Sequence, residues 1–155
     1  MLEGLLAAGP VAGVARVGHA PFDEDDPIEL RFVNGAVFTI EVGFEGATDI
    51  RVEQGAALDL AFGHLRTEEP PTFAAIARDW SEEPLILPWL IGRTLSRPRR
   101  LIMTQPYRVE VGYVFDTGDK KLALFGESDL IFAAALDDPH IESFKLEVGA
   151  AYSAA

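Results

Sequence analysis

The segment IELRFVNGAVFTIEV (28–42) restricts the fold most strongly, because two runs of alternating apolar and polar residues flank Asn34-Gly35. Alternation with a period of two is typical of half-buried strands. An Asn-Gly pair between two such runs indicates a β-hairpin. The chain is therefore expected to be built from short antiparallel strands.

The faces of the two strands decide the length of the loop. A two-residue loop would set apolar residues opposite polar ones. A three-residue loop over 33–35 instead pairs Leu30 with Phe38 and Ile28 with Ile40. We therefore predict a bulged turn whose last residue, glycine, is left-handed. The polar positions are predicted to form an exposed outer face: Glu29, Arg31, Thr39 and Glu41.

Two distant segments, TDIRVEQG (48–55) and ESFKLEVG (142–149), repeat one pattern. In each, two apolar residues alternate with a basic residue and a glutamate ahead of a glycine, which predicts a half-buried strand. An internal duplication explains the match, but aligning the two units needs a one-residue shift, so chance agreement stays open as an alternative.

The second half of the chain predicts a series of strands and turns. The strands are expected at 108–115, 121–125, 130–136 and 143–148, with turns at 117–119 and 127–129. The runs LALF and LIFAAAL are apolar on both faces, which is typical of strands that are covered on both sides.

The helices are expected at the N-terminus and between the two halves. A short helix is predicted at 2–8, followed by a strand at 11–17. Between the halves, apolar residues at i, i+3, i+4 and i+7 predict a helix that covers a sheet face: Phe73, Ile76, Ala77 and Trp80. The apolar segment 85–92 is interrupted by Pro88, and both a broken helix and an extended segment remain open.

Together these patterns predict an α+β fold of mainly antiparallel β structure. Two related units of about four strands each, with a possible pseudo-two-fold repeat, would share one core. One or two helices are expected in the connection at about 72–91. We predict a single domain over 1–155, with sub-units at about 10–62 and 93–149 joined by a helical connection at 63–92.

Charge and cysteine content restrict the function. The formal net charge of −12 disfavours binding to nucleic acid, whose phosphates would be repelled. The apolar runs are too short to cross a bilayer, so no membrane contact is predicted. The absence of cysteine and of basic residues near the N-terminus favours a cytoplasmic location.

Two charged segments are the candidate binding sites. The acidic loop lies between two prolines and contains Asp23, Glu24, Asp25 and Asp26. The arginine segment contains Arg93, Arg97, Arg99 and Arg100, with Arg108 beyond them, and residues 84–109 contain no acid. Guanidinium groups suit carboxylates and phosphates, so the arginine segment is expected to bind an acidic partner or to pair with this chain's own acidic loop.

The sequence predicts no catalytic residue, no metal site and no cofactor. The three histidines His19, His64 and His140 have no metal-binding spacing, although His19 precedes the acidic loop and His140 follows two aspartates. Gly126-Glu127-Ser128 begins like a nucleophile elbow, but it lies in a predicted turn between strands.

The leading hypothesis is a non-catalytic protein-interaction module, comparable to an inhibitor or immunity protein. Its partner would be another protein, or a second copy bound through the arginine segment and the acidic loop. One alternative is a small hydrolase or lyase that uses converging carboxylates and a histidine, with or without a metal. The other is a small-molecule binding domain with a pocket between the connection and the sheet.

Overall fold

The computed structural model describes residues 2–18, 24–42, 49–60, 77–78 and 87–153. Within these residues the chain forms ten strands and four short helices. The strands are β1 (Val11–Gly18), β2 (Ile28–Phe32), β3 (Val37–Val42), β4 (Ile50–Gln54), β5 (Ala77–Arg78), β6 (Ser96–Met103), β7 (Val109–Asp116), β8 (Lys121–Glu127), β9 (Leu130–Ala135) and β10 (Leu146–Ala151). The helices are α1 (Leu2–Ala7), α2 (Ala57–Leu60) and the 3₁₀ helices Pro88–Leu90 and Pro139–Phe144.

The strands form two antiparallel sheets with the orders β4-β3-β2-β1-β5 and β10-β6-β7-β8-β9. A buried apolar cluster contains residues of both sheets, among them Val14 and Ile40 from the first and Phe115, Leu122 and Leu124 from the second. The predicted α+β class with mainly antiparallel strands is therefore confirmed.

The hairpin of β2 and β3 has the predicted register. Leu30 lies opposite Phe38, and Ile28 lies opposite Ile40. Gly35, the last residue of the loop, has a φ of 90°, which is strained for any residue with a Cβ. The three-residue bulged turn is confirmed.

The predicted outer face of this hairpin is wrong for two of its four residues. Glu29 and Thr39 are 3% and 1% exposed. The Ala57 N–H, at the start of α2, donates to Glu29 Oε2 at 2.9 Å, and Thr39 Oγ1 donates to the Gly55 carbonyl at 2.9 Å. The chain after β4 thus covers part of this face, and hydrogen bonds replace the water that the two polar groups lose. Arg31 is exposed, as predicted.

β8 and β9 are buried on both faces, as their sequences predicted. Leu122 and Leu124 belong to the cluster shared with the first sheet. Ala123 and Phe125 belong to a second cluster on the opposite face, where Phe125 stacks on Phe132 with ring centroids 5.1 Å apart. The second sheet therefore separates two apolar clusters.

The second sheet curls around the second cluster. Residues from both of its edge strands, including Leu130 of β9 and Val148 of β10, pack against that cluster. At Gly112 the strands β7 and β8 approach so closely that a Cβ would lie 2.6 Å from Phe125 Cα. The pairing of β6 with β7 also shifts register twice, and such irregularities bend and twist a strand. Both edge strands thereby contribute side chains to the same cluster.

The two copies of the repeated pattern differ in conformation. The first forms β4, which pairs with β3. In the second, Phe144 ends a 3₁₀ helix, Lys145 is left-handed with a φ of 52°, and the strand begins only at Leu146. β10 pairs with β6 and not with the preceding β9. The predicted strand at 143–148 is thus wrong at its start, and the internal duplication is not confirmed.

The connection between the sheets differs from the predicted helix where it is described. Ala77–Arg78 form a strand that pairs with Val17 and Gly18 at the end of β1, because backbone pairing with a sheet edge overrides the local helical pattern. The other residues of that predicted helix lie outside the described residues. Pro88–Leu90 form a 3₁₀ helix. The described part of the chain contains no helix of the length and hydropathy needed to cross a membrane.

Candidate functional site

A groove follows β10, between that strand and the residues after β9. It consists of two adjoining depressions of about 660 and 510 Å³, which share Leu136 and Val148 as lining residues. Both side chains are partly buried and also pack against the second cluster. This seam groove therefore has an apolar floor, and its two ends carry opposite charges.

The basic end of the seam groove is formed by the starts of β6 and β8 and the end of β7. Its charged side chains are Arg97, Arg99, Lys121 and Asp116. Arg97 is exposed and left-handed, with a φ of 49°, at a register shift in β6. Arg99 Nε donates to the Gly149 carbonyl of β10 at 2.8 Å, which fixes the arginine beside the groove.

Asp116 is the one carboxylate among the described residues that line the basic end. Lys121 Nζ lies 2.5 Å from Asp116 Oδ1. The hydrogen bond from Lys121, together with the positive charges of Lys121 and Arg97, holds the pKa of Asp116 below its ordinary value. Three cationic groups against one anionic group leave this end positively charged.

The acidic end lies beside the 3₁₀ helix Pro139–Phe144. Its charged side chains are Asp137, Asp138, Glu142 and Lys145. Asp138 caps the helix, because its Oδ1 accepts the His140 N–H at 2.9 Å. Asp137 and Glu142 are exposed to solvent. Three carboxylates against one ammonium group leave this end negatively charged.

Other members of the arginine segment form ion pairs within the chain. Arg93 pairs with Asp119, and its hydrogen bond and charge lower the pKa of that carboxyl below the ordinary value. Arg93 Nε also donates to the Trp89 carbonyl at 2.8 Å. Arg108 makes a two-point contact with Glu147, with N–O distances of 2.5 and 3.1 Å.

Arg100 connects the two halves of the chain. Its Nη2 lies 2.7 Å from Asp49 Oδ2, just before β4, and 3.1 Å from Glu110 Oε2 in β7. The guanidinium also lies over the ring of Tyr113, 4.4 Å from its centroid. Burial alone would lower the pKa of Arg100, but the hydrogen bond and charge of Asp49 raise it.

The described part of the acidic loop lies against Arg16 of β1. Arg16 Nη1 donates to the carbonyls of Glu24 and Asp26, at 3.0 and 2.7 Å, and Nη2 donates to the carbonyl of Ile131 in β9. The guanidinium thus joins the loop to the edge of the second sheet through backbone oxygens. Asp25 also lies in this described stretch, whereas the predicted site residue Asp23 lies outside the described residues.

One histidine does approach the acidic loop. His140 Nε2 is 3.6 Å from Glu24 Oε1, so two loops that each combine histidine and acids meet in space. Among the described residues, no group of three or more His, Asp or Glu side chains is arranged to hold a metal ion. His19 and His64 lie outside the described residues.

The serine of the partial nucleophile motif lies in a tight hairpin turn, as predicted. Ser128 and Asp129 connect β8 to β9 with φ values of 48° and 72°. Ser128 Oγ donates to Glu127 Oε1 at 2.8 Å.

Sequence reasoning found Arg97 and Arg99 but missed the rest of the seam groove. The predicted hairpin of β8 and β9 already places Asp137 beside Lys121, because the Leu136 N–H donates to the Lys121 carbonyl at 2.9 Å. Glu142 comes from the separate 3₁₀ helix Pro139–Phe144, and no local pattern relates it to Arg97 and Arg99. Arg97 and Arg99 reach the same groove from β6, which pairs with β10 on one side and with β7 on the other. The acid-free stretch at 84–109 was the one sequence signal that pointed towards this surface.

Comparisons with protein families, with curated proteins and with solved structures found no match to this chain.

Proposed function

We propose that the protein is a non-catalytic protein-interaction module that binds its partner in the seam groove. The observation that carries this proposal is the arrangement of charge around an apolar floor. Arg97 and Arg99 lie at one end and Glu142 lies at the other. Lys121 and Asp137 lie close together between these ends, beside Leu136. Interfaces are typically built this way, with an apolar centre that excludes water and a charged rim that sets orientation.

The exposure of Arg97 and Arg99 supports a role in binding. Arg93, Arg100 and Arg108 are held by carboxylates of this chain. Arg97 and Arg99 are also exposed, and Arg99 donates to the Gly149 carbonyl rather than to a carboxylate, in a chain whose formal net charge is −12. A basic surface on an acidic protein selects an acidic group on a partner, because the rest of the surface repels it.

The dimensions of the groove favour a protein segment as the bound group. β10 contains six residues, and a strand rises by about 3.4 Å per residue, so the groove extends for about 20 Å. Charges of opposite sign at its two ends suit a chain whose own charges are separated along its length. We propose the cytoplasm as the place of action, because a chain without cysteine makes no use of an oxidising compartment.

The proposal is tested by comparing the proteins that purified variants capture from cells of the source organism. We expect the wild-type chain to retain a partner at low salt that Arg97→Glu and Arg99→Glu no longer retain. Arg31→Glu is the matched control, because it reverses an exposed charge on β2, in the other sheet. Retention by the wild-type chain should also weaken at high salt.

Mass spectrometry identifies the retained protein, and thermal melting verifies that each variant is folded. Capture of the same proteins by all four chains would contradict the proposal, as would capture that salt leaves unchanged.

A further inference from the structure

β10 is an edge strand of the second sheet. Its only strand neighbour among the described residues is β6. In an antiparallel pair the N–H and C=O groups of alternate residues point away from the partner strand. One edge of β10 therefore presents backbone donors and acceptors along the side where the seam groove lies.

The composition of β10 leaves this edge accessible. Its sequence is LEVGAA, in which Glu147 is the one charged residue, and Glu147 is paired with Arg108. Proteins commonly protect edge strands with lysine, proline or a covering element, because a bare edge is a template for another strand. β10 contains neither lysine nor proline, and Gly149, Ala150 and Ala151 carry little or no side chain.

We propose that the partner contributes an extended segment that pairs antiparallel with β10, an inference that rests on the proposed function. Its carboxylates would lie at its N-terminal end and its basic side chains at its C-terminal end. Leu136 and Val148 would contact its apolar side chains, as in other cases where a peptide adds a strand to a sheet edge.

The direction of the bound segment follows from the order of charges along β10. The strand starts at Leu146 beside the acidic end and finishes at Ala151 beside the basic end. An antiparallel segment therefore begins at Arg97 and Arg99 and finishes at Glu142. We expect antiparallel pairing because it is slightly more stable per residue than parallel pairing. Every strand pair described in this chain is also antiparallel.

The probes are two capped synthetic peptides of identical composition. The forward peptide has two glutamates, then alternating valine and threonine, then two lysines, and the reversed peptide exchanges the glutamates and lysines. We expect the intact 155-residue chain to bind the forward peptide about tenfold more tightly by fluorescence anisotropy, because both charged ends then meet opposite charges. Arg97→Glu should abolish this preference, and Arg31→Glu should preserve it.

Backbone pairing is tested separately with two N-methylated forms of the forward peptide, each blocking alternate N–H groups. A strand that pairs along one edge uses only every second N–H, so one form should lose binding and the other should retain it. Equal effects of the two methylation patterns would overturn the proposal, as would equal binding, or no binding, of the forward and reversed peptides. If the captured partner still depended on Arg97 and Arg99, those results would refute strand addition and leave the proposed function standing.

Discussion

The second sheet depends most directly on glycine at Gly112, where there is no room for a Cβ. A Cβ there would overlap the carbonyl oxygen of Leu124 and lie 2.6 Å from Phe125 Cα, which are backbone atoms of β8. A strand backbone cannot move aside without breaking its own hydrogen bonds. The close approach of β7 and β8 is therefore available only to glycine.

We expect Gly112→Ala to lower the free energy of unfolding by about 3 kcal/mol, the upper range for overpacking. Gly9→Ala is the control. Gly9 has a φ of 82° but nothing within 4 Å of its Cβ position, so it should lose about 1 kcal/mol through backbone strain alone. Chemical denaturation measures both changes, and equal losses would show that steric overlap at Gly112 is unimportant.

Residue positions were predictable where neighbours in sequence determine them. The pairs Leu30–Phe38 and Ile28–Ile40 followed from alternation within one hairpin. The burial of Glu29 did not, because it depends on α2, a helix too short to give a periodic signal. The role of Arg16 was equally hidden, since its acceptors are backbone oxygens that any residue carries.

At the scale of elements, β6 was the longer of two strands that the sequence concealed, the other being β5. β6 reads SRPRRLIM, in which a proline and three arginines hide the alternation expected of a half-buried strand. Its register shifts also displace side chains from a regular period. β7, β8 and β9 were predicted because turns mark their ends, and β8 and β9 also because apolar residues occupy both of their faces. The seam groove could not be predicted, because it depends on β6 and on the curl of the sheet.

The contact of Arg100 with Asp49 couples β6 to the segment that leads into β4. We expect a double-mutant cycle with Arg100→Gln and Asp49→Asn to give a coupling energy of about 1 kcal/mol. The Arg100 side chain is 15% exposed, but Asp49 is 47% exposed, so solvent screening keeps the value moderate.

Arg51 and Glu53 provide the comparison for this cycle. Their side chains are 45% and 41% exposed, and their coupling energy should stay below about 0.5 kcal/mol. Urea denaturation of the four chains in each cycle supplies both values. A coupling energy near zero for Arg100 and Asp49 would show that this ion pair does not connect the two sheets energetically.

At the scale of the whole molecule, ion pairs make stability depend on pH. The hydrogen bonds and charges of Arg93 and Arg108 lower the pKa values of Asp119 and Glu147 below their ordinary values of 3.8 and 4.5. As the pH falls, the unfolded chain binds protons at these carboxyls before the folded chain does. Their contribution to stability is therefore complete above the unfolded pKa and is lost as the pH falls through the folded pKa.

We expect the melting temperature to decrease as the pH falls below about 4.5, the ordinary value for glutamate. The double variant Asp119→Asn and Glu147→Gln should show a smaller decrease, because it lacks two of the responsible carboxyls. Protonation also relieves repulsion among the carboxylates of a chain whose net charge is −12, which opposes the loss of stability. Both chains share this effect, so the difference between them reports on Asp119 and Glu147. Identical slopes for the two chains would assign the acid sensitivity to other groups.

The position of the second sheet between two apolar clusters has a consequence for folding. The shared cluster cannot lose either sheet without exposing its interior, whereas the second cluster contains only residues within 101–148 and does not depend on the first sheet. Leu146 of β10 pairs with Met103 of β6, a long-range contact of the kind that is slow to form. The second half of the chain thus has an interior of its own, which the loss of the first sheet alone would leave covered.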